Sequence, residues 1–320
     1  MVDSLSRRTL LVAGLAAPLL GACTAWSRSS PASSASTHAA SPANAAALAS
    51  SPLGRAVTQA LQDIAALERA TPGSRLGVSI VDAQYNARID YRANERFPMC
   101  STFKILAVGA VLRRSEKVPG LLEQRIRYTK RDLVAGSPIS QHHVRDGMTV
   151  AALCAAALQY SDNTAANMLL QLLGGPPEVT AYARAIGDPV SRLDRRETVL
   201  NQALPGDPRD TTTPAAMAAN LQRLLLGDAL APASREQFKT WLLGNTTGAK
   251  RLRGGLPAGW RVADKTGSGD YGTANDVGLL YTPTNQPIVV TVYLTQADPH
   301  AAYAEETIAG VGRIVARTFA

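Results

Sequence analysis

In this 320-residue chain, segments with strand character lie at the two ends of the foldable region, and almost everything between them reads as helix. Residues 76–82 and 87–92 are strand candidates near the start, and 260–265, 275–282 and 288–295 near the end. Between them run the Ala/Leu-rich segments 101–115, 149–159, 162–173, 213–226 and 233–243. Strands so far apart bury their apolar faces only by pairing with one another. The expectation is an α/β (α+β) chain: one antiparallel sheet of about five strands, with an all-helical lobe inserted into it. Flanking helices are predicted at both termini. Val57, Leu61 and Ile64 make one apolar stripe, and Ile308, Val311, Gly312 and Val315 another. The sheet lobe would comprise 51–96 and 244–320, the helical lobe 97–243. A crevice between lobes is a usual place for a small-molecule site.

Residues 1–50 stand apart from this pattern. Arg7-Arg8 precede an apolar stretch over 10–20 that Gly14 and Pro18 interrupt, the layout of an export signal of the twin-arginine type. Leu20-Gly21-Ala22-Cys23 then reads either as a lipobox, with Cys23 lipidated, or as an ordinary cleavage site containing a cysteine. Residues 1–23 are therefore expected to be an export signal with lipobox. Residues 24–50, rich in Ser, Ala and Pro, cannot bury enough apolar surface to fold and read as a flexible linker. The expected location is the periplasm, with a membrane tether only through Cys23. No apolar run reaches the ~20 residues of a spanning helix.

Charge and cysteines exclude other classes. The net charge is +8, and removing residues 1–28 takes away Arg7, Arg8, Arg28 and Asp3 and leaves +6 without a basic run of nucleic-acid type. Cys100 and Cys154 make no disulfide framework, and the four histidines have no ligand spacing. No metal or organic cofactor is expected, and a monomer is.

Three short motifs carry chemistry. In Ser101-Thr102-Phe103-Lys104, a spacing of three puts the lysine beside the serine hydroxyl, which is a weak nucleophile until a base takes its proton. Ser161-Asp162-Asn163 opens a helix, where Ser or Asp also serves as an N-cap. Lys265-Thr266-Gly267-Ser268-Gly269 follows a strand, and glycines there either mark a bulge or let the backbone approach a ligand. In this order they match a known set of acyl-transfer motifs. With the run 193–201 and the stretch 207–213, the chain from about residue 51 resembles the class A serine β-lactamases.

The resemblance implies an enzyme that hydrolyses the β-lactam amide of penicillins and cephalosporins. Ser101 would be the acylated nucleophile, Lys104 would assist proton removal, and Ser161 would relay the proton to the departing nitrogen. Asn163 would bind the substrate's side-chain amide, and Lys265, Thr266, Gly267 and Ser268 would line the carboxylate site. The N–H groups of Ser101 and Ser268 would form the oxyanion hole. Glu197 and Asn201 would hold the deacylating water. Arg195 and Asp210 would close an Ω-loop of 16 residues, braced by Asn167, and a cis peptide is implied at Glu197-Thr198.

Departures from the family pattern bear on selectivity. Gly136 stands where an aromatic wall is usual, and Ala274 where one subgroup has a carboxylate-binding arginine. Arg251 matches the arginine that another subgroup uses for that job. Cys100 matches a cysteine that is bridged in carbapenem-hydrolysing members, but its partner position is Gly269, so efficient carbapenem hydrolysis is not expected. Two rivals share the short motifs. A cell-wall DD-peptidase would lack the Glu197/Asn201 water site. A β-lactam sensor that stays acylated would be expected to carry a transmembrane helix and a signalling domain.

Overall fold

The computed structural model describes residues 51–85 and 87–319. The expected export signal 1–23, with Cys23, and the expected linker 24–50 lie outside the described residues. Among those described, no helix is long and apolar enough to cross a membrane.

Apart from two short two-stranded ladders, the strands come from the two ends of the folded region and form one five-stranded sheet. We label them β1 (Ser74–Asp82), β2 (Arg88–Tyr91), β3 (Arg261–Gly269), β4 (Thr273–Tyr281) and β5 (Pro287–Gln296). The order is β2-β1-β5-β4-β3, antiparallel throughout, so chain start and chain end pair across the middle of the sheet. Alternation along β1 distributes its side chains to two cores. Leu76, Val78 and Ile80 join Val290, Val292 and the helices α1 (Pro52–Arg69) and α8 (Glu305–Phe319) on one face. Val81, with Ala263, Val277, Val289 and Tyr293, faces the helical region on the other. Gly77 is required by packing: a methyl there would collide with the Phe97 ring.

The inserted region holds α2 (Lys104–Ser115), α3 (Val150–Gln159), α4 (Asn163–Leu173), α5 (Pro176–Ala185), α6 (Pro214–Leu225) and α7 (Pro232–Leu243). Local chemistry starts several of them. Side chains of Thr149, Asp162 and Thr213 accept N–H bonds from Ala152, Ala165 and Ala216, relieving otherwise unpaired donors of the first turn. Helix α5 lies outside the sequence expectation. Pro176-Pro177 occupy its first turn, where a missing N–H costs nothing. Two further differences matter for the site. Residues Cys100–Phe103 form a 3-10 turn rather than the start of α2. Strand β3 runs through the Lys-Thr-Gly motif to Gly269 rather than stopping at Lys265.

Candidate active site

The nucleophile candidate is seated by the sheet. Asn275 on β4 donates through Nδ2 to the carbonyls of Pro98 (2.9 Å) and Met99 (3.1 Å), and the Met99 N–H donates to Asp210 O at 2.8 Å. The following 3-10 turn carries Ser101 and delivers Lys104 onto the same side, since residues three apart eclipse in that geometry. Cys100, just before it, adopts φ +43°, and Ser161 adopts φ +56°. Left-handed backbone at a non-glycine residue costs about 1–3 kcal/mol and persists where the surroundings enforce it. Both residues sit beside the reacting atoms.

Around Ser101 Oγ the charged groups are close and buried. Lys104 Nζ donates to Ser101 Oγ at 2.9 Å, and Ser101 Oγ donates to Glu197 Oε1 at 3.0 Å. Lys104 Nζ and Glu197 Oε1 are 3.0 Å apart with both side chains fully buried. Lys104 also donates to Ser161 O (2.7 Å) and Asn163 Oδ1 (2.7 Å). Burial pushes the Lys104 ammonium below its ordinary pKa, with the carboxylates of Glu197 and Asp162 acting against that. The Lys265 ammonium is likewise held well below its ordinary pKa, by burial and then by the neighbouring Lys104 charge. Its Nζ donates to Ser161 Oγ at 2.9 Å, and Lys104 Nζ reaches the same oxygen at 3.4 Å. An oxygen that accepts from two lysines has its own proton left to donate elsewhere.

Asp162 is an N-cap and more. Its carboxylate also accepts from Ile139 N (2.9 Å), Ser140 N (2.8 Å) and Ser140 Oγ (2.7 Å), tying the 137–140 turn to the start of α4.

A loop carries Glu197 to this place. Asp210 accepts from the N–H groups of Asp194 (2.7 Å) and Arg195 (2.9 Å) and from Arg195 Nε (2.5 Å), closing residues 195–210. Asn167 on α4 braces it twice, donating to Glu197 O at 2.9 Å and accepting from Glu197 N at 3.0 Å. The Glu197-Thr198 peptide is cis. Asn201 Nδ2 donates to Glu197 Oε2 at 2.6 Å, so one carboxylate oxygen faces the serine and the other the asparagine.

The anion-binding end departs from a simple fork. Arg251 is 4% exposed. Its Nη1 is engaged with the carbonyls of Gly267 (2.7 Å) and Asn275 (2.8 Å), and its Nη2 donates to Ser268 Oγ at 2.7 Å. Nε meets Glu305 Oε1 at 3.3 Å. Arg251 thus adds positive charge and orients the Ser268 hydroxyl, with little guanidinium left for direct contact. Gly267 leaves no room for a side chain, since a Cβ would lie 2.8 Å from Met99 O.

These groups open onto a cleft of about 580 Å³ lined by Ser101, Ser161, Asn163, Asn201, Arg251 and Thr266–Ser268. Every nucleophile, base and carboxylate-site residue expected from the motifs is brought together. Gly136 lines the cleft too: at φ +74° a Cβ would lie 2.8 Å from Asn163 Nδ2. Thr247, Tyr303 and Glu305 also line it, and no motif marks them. A second cavity of about 450 Å³ lies under residues 203–208, away from the serine. The Cys100 thiol is buried with its pKa raised by burial and then by Glu197, so it is not a nucleophile.

The comparisons agree with this geometry. The model of the β-lactamase enzyme family matches residues 56–319. Beta-lactamase CTX-M-97 of Escherichia coli is 52% identical over 258 residues, covering 81% of this chain and 88% of the relative. Beta-lactamase OXY-1 of Klebsiella oxytoca is 45% identical over 315 residues, 98% of this chain and 99% of that one. Among solved structures, an ancestral (GNCA) class A β-lactamase has a TM-score of 0.79 at 57% identity, covering 82% of this chain and all of its own. A β-lactamase from Burkholderia phymatum reaches a TM-score of 0.81 at 48% identity, covering 83% of this chain and all of its own. With the family model spanning the whole folded region and the serine, lysine and glutamate in mutual contact, the chain belongs to the β-lactamase enzyme family and is a class A serine β-lactamase.

Proposed function

We propose that this enzyme opens penicillins and cephalosporins through an ester on Ser101 and frees itself with a water activated by Glu197. The carrying observation is the position of the Glu197 carboxylate, 3.0 Å from Ser101 Oγ on one side and 2.6 Å from Asn201 Nδ2 on the other. In acylation Lys104, as the free amine that its burial favours, takes the Ser101 proton across 2.9 Å, and the serine oxygen attacks the lactam carbonyl. The developing oxyanion is received by the N–H groups of Ser101 and Ser268. The C–N bond then breaks, and the nitrogen takes the Ser161 proton. Lys104 passes the proton it took from Ser101 to Ser161 Oγ, 3.4 Å away, so Glu197 enters deacylation as a free carboxylate. Lys265, Thr266 and Ser268, with Arg251 behind Ser268, hold the substrate carboxylate, and Asn163 its side-chain amide. In deacylation, water lodged between Glu197 and Asn201 gives a proton to Glu197 and attacks the ester carbonyl. The bond to Ser101 breaks, and the serine recovers its proton.

Glu197→Gln tests the reading. It keeps the shape and removes the base, a loss of about 10²–10⁴ in a general-base step. The variant should react with a penicillin and stall, with one intact drug added to the peptide containing Ser101 in mass spectrometry. Turnover at the wild-type rate would overturn the assignment of Glu197. A wild type that stalls with every β-lactam would favour the sensor or peptidase instead.

Export is part of the same reading. Arg7-Arg8 and Leu20–Cys23 support a twin-arginine signal and a lipid on Cys23, which would hold a monomeric enzyme at a periplasmic membrane face with residues 24–50 as tether. The breadth of substrates and the missing wall at Gly136 are matters for kinetics with individual drugs.

A further inference from the structure

The anion-binding end of the cleft continues past Ser268 to two residues that the reaction does not use. Tyr303 is 50% exposed. It lines the same cleft as Arg251, Thr266 and Ser268, and no described residue accepts from or donates to its hydroxyl. Glu305, at the start of α8, also lines the cleft, with its side chain 30% exposed. Its Oε1 faces Arg251 Nε, while no described residue bonds its Oε2. An accessible aromatic face and a carboxylate oxygen without a partner, sharing one cleft, suit an organic cation.

The substrate's own connectivity says which group would arrive there. In a cephalosporin the ring carbon C4 carries the carboxylate, and the adjacent C3 carries the variable substituent. Once Lys265, Thr266 and Ser268 hold the carboxylate, C3 projects from that end of the ring, away from the carbonyl at Ser101. With substrate bound, the cations Lys265 and Arg251 are matched by the substrate carboxylate and Glu305. A cation on C3 therefore enters a locally balanced field and finds Tyr303 and Glu305. A penicillin has no equivalent substituent.

Resting on the β-lactam hydrolase reading, we infer that Tyr303 and Glu305 form a subsite for a positively charged C3 substituent, making the enzyme selective for cationic cephalosporins over neutral ones. The test uses two cephalosporins with the same C7 side chain, one carrying acetoxymethyl and the other N-methylpyrrolidiniomethyl at C3. kcat/KM for each is measured with the wild type, Tyr303→Leu, Tyr303→Ala and Glu305→Gln, at low and high salt. The cationic-to-neutral ratio should fall about fivefold in each variant, mostly through KM, the factor that corresponds to ~1 kcal/mol at 1.4 kcal/mol per tenfold. That is the size of exposed cation–π and ion-pair contacts. In the wild type the ratio should also fall as salt rises, because the contact is exposed. A ratio unmoved by the substitutions at either residue overturns the subsite. So does an equal fall for both drugs, which would mean a general role through Arg251. Failure of the parent reading looks different: a wild type that hydrolyses neither drug.

Discussion

Truncating Asn167 to alanine removes two hydrogen bonds from one residue of the site and none from the nucleophile. Asn167 Nδ2 donates to Glu197 O at 2.9 Å, and Asn167 Oδ1 accepts from Glu197 N at 3.0 Å, both buried. Ser101 and Lys104 make no bond to Asn167, so the acylating groups keep their partners. Two buried neutral bonds are worth about 1–3 kcal/mol together. If that energy holds Glu197 over the ester, deacylation should slow by roughly 5- to 150-fold at 1.4 kcal/mol per tenfold. Asn167→Asp is a sharper probe. It still accepts from Glu197 N but cannot donate to Glu197 O, and it places a carboxylate oxygen against that carbonyl. The assay is rapid mixing with a chromogenic cephalosporin, which separates the burst from the steady rate, with mass spectrometry of the quenched adduct. Expected are a preserved burst, a slowed steady phase, and accumulated adduct in both variants. Equal losses in burst and steady phase would refute the reasoning, because the brace would then be serving the whole site. An unchanged steady phase would refute it too, showing that the loop holds Glu197 without α4.

Two further outcomes follow from residues away from the serine. Asp188 is buried, and burial alone would raise its pKa, but bonds from Ser191, Asn220 and Val190 outweigh it and hold the carboxyl below its ordinary value. A carboxyl depressed in the folded state adds stability above its unfolded pKa of about 3.9 and loses it as pH falls through the folded value. Asp188→Ala should melt about 5 °C below the wild type at pH 7, for roughly 3 kcal/mol against an unfolding entropy of about 2.1 cal/mol/K per residue. The gap should hold down to about pH 5 and narrow below pH 4; a gap constant to pH 2 would exclude the linkage. For export, Cys23→Ala should move active enzyme from the membrane to the soluble periplasmic fraction, and identical fractionation would reject the lipid anchor.

The site was legible in sequence to the extent that it is local. Ser101 and Lys104 are three apart in any tight helix, so spacing puts them together, whereas Glu197 and Asn201 were reached only through the resemblance carried by the run 193–201. Helix starts were legible where Thr149, Asp162 and Thr213 cap them. Helix α5 was not, because Pro176-Pro177 look alike whether they end a helix or begin one. Arg251 shows a different limit. Its charge was legible, but which donors remain free depends on carbonyls of Gly267 and Asn275, which come from two strands. Tyr303 and Glu305 reach the cleft from the segment that leads from β5 into α8, where Glu305 meets Arg251, a long-range fact with no local signature.

The sheet order β2-β1-β5-β4-β3 leaves β3 on a rim. A rim strand ordinarily offers its unpaired peptide groups to any extended chain, which is how sheets from different molecules join. Here the segment leading into the Cys100–Phe103 turn and the loop bearing Asn201 press against that strand: a Cβ at Gly267 would lie 2.8 Å from Met99 O, and one at Gly269 2.6 Å from Asn201 O. That crowding leaves less of β3 accessible to an incoming extended chain than a bare rim strand would offer. The opposite rim, β2, is four residues long and carries Arg88 and Asp90 outward, so it discourages joining by brevity and charge.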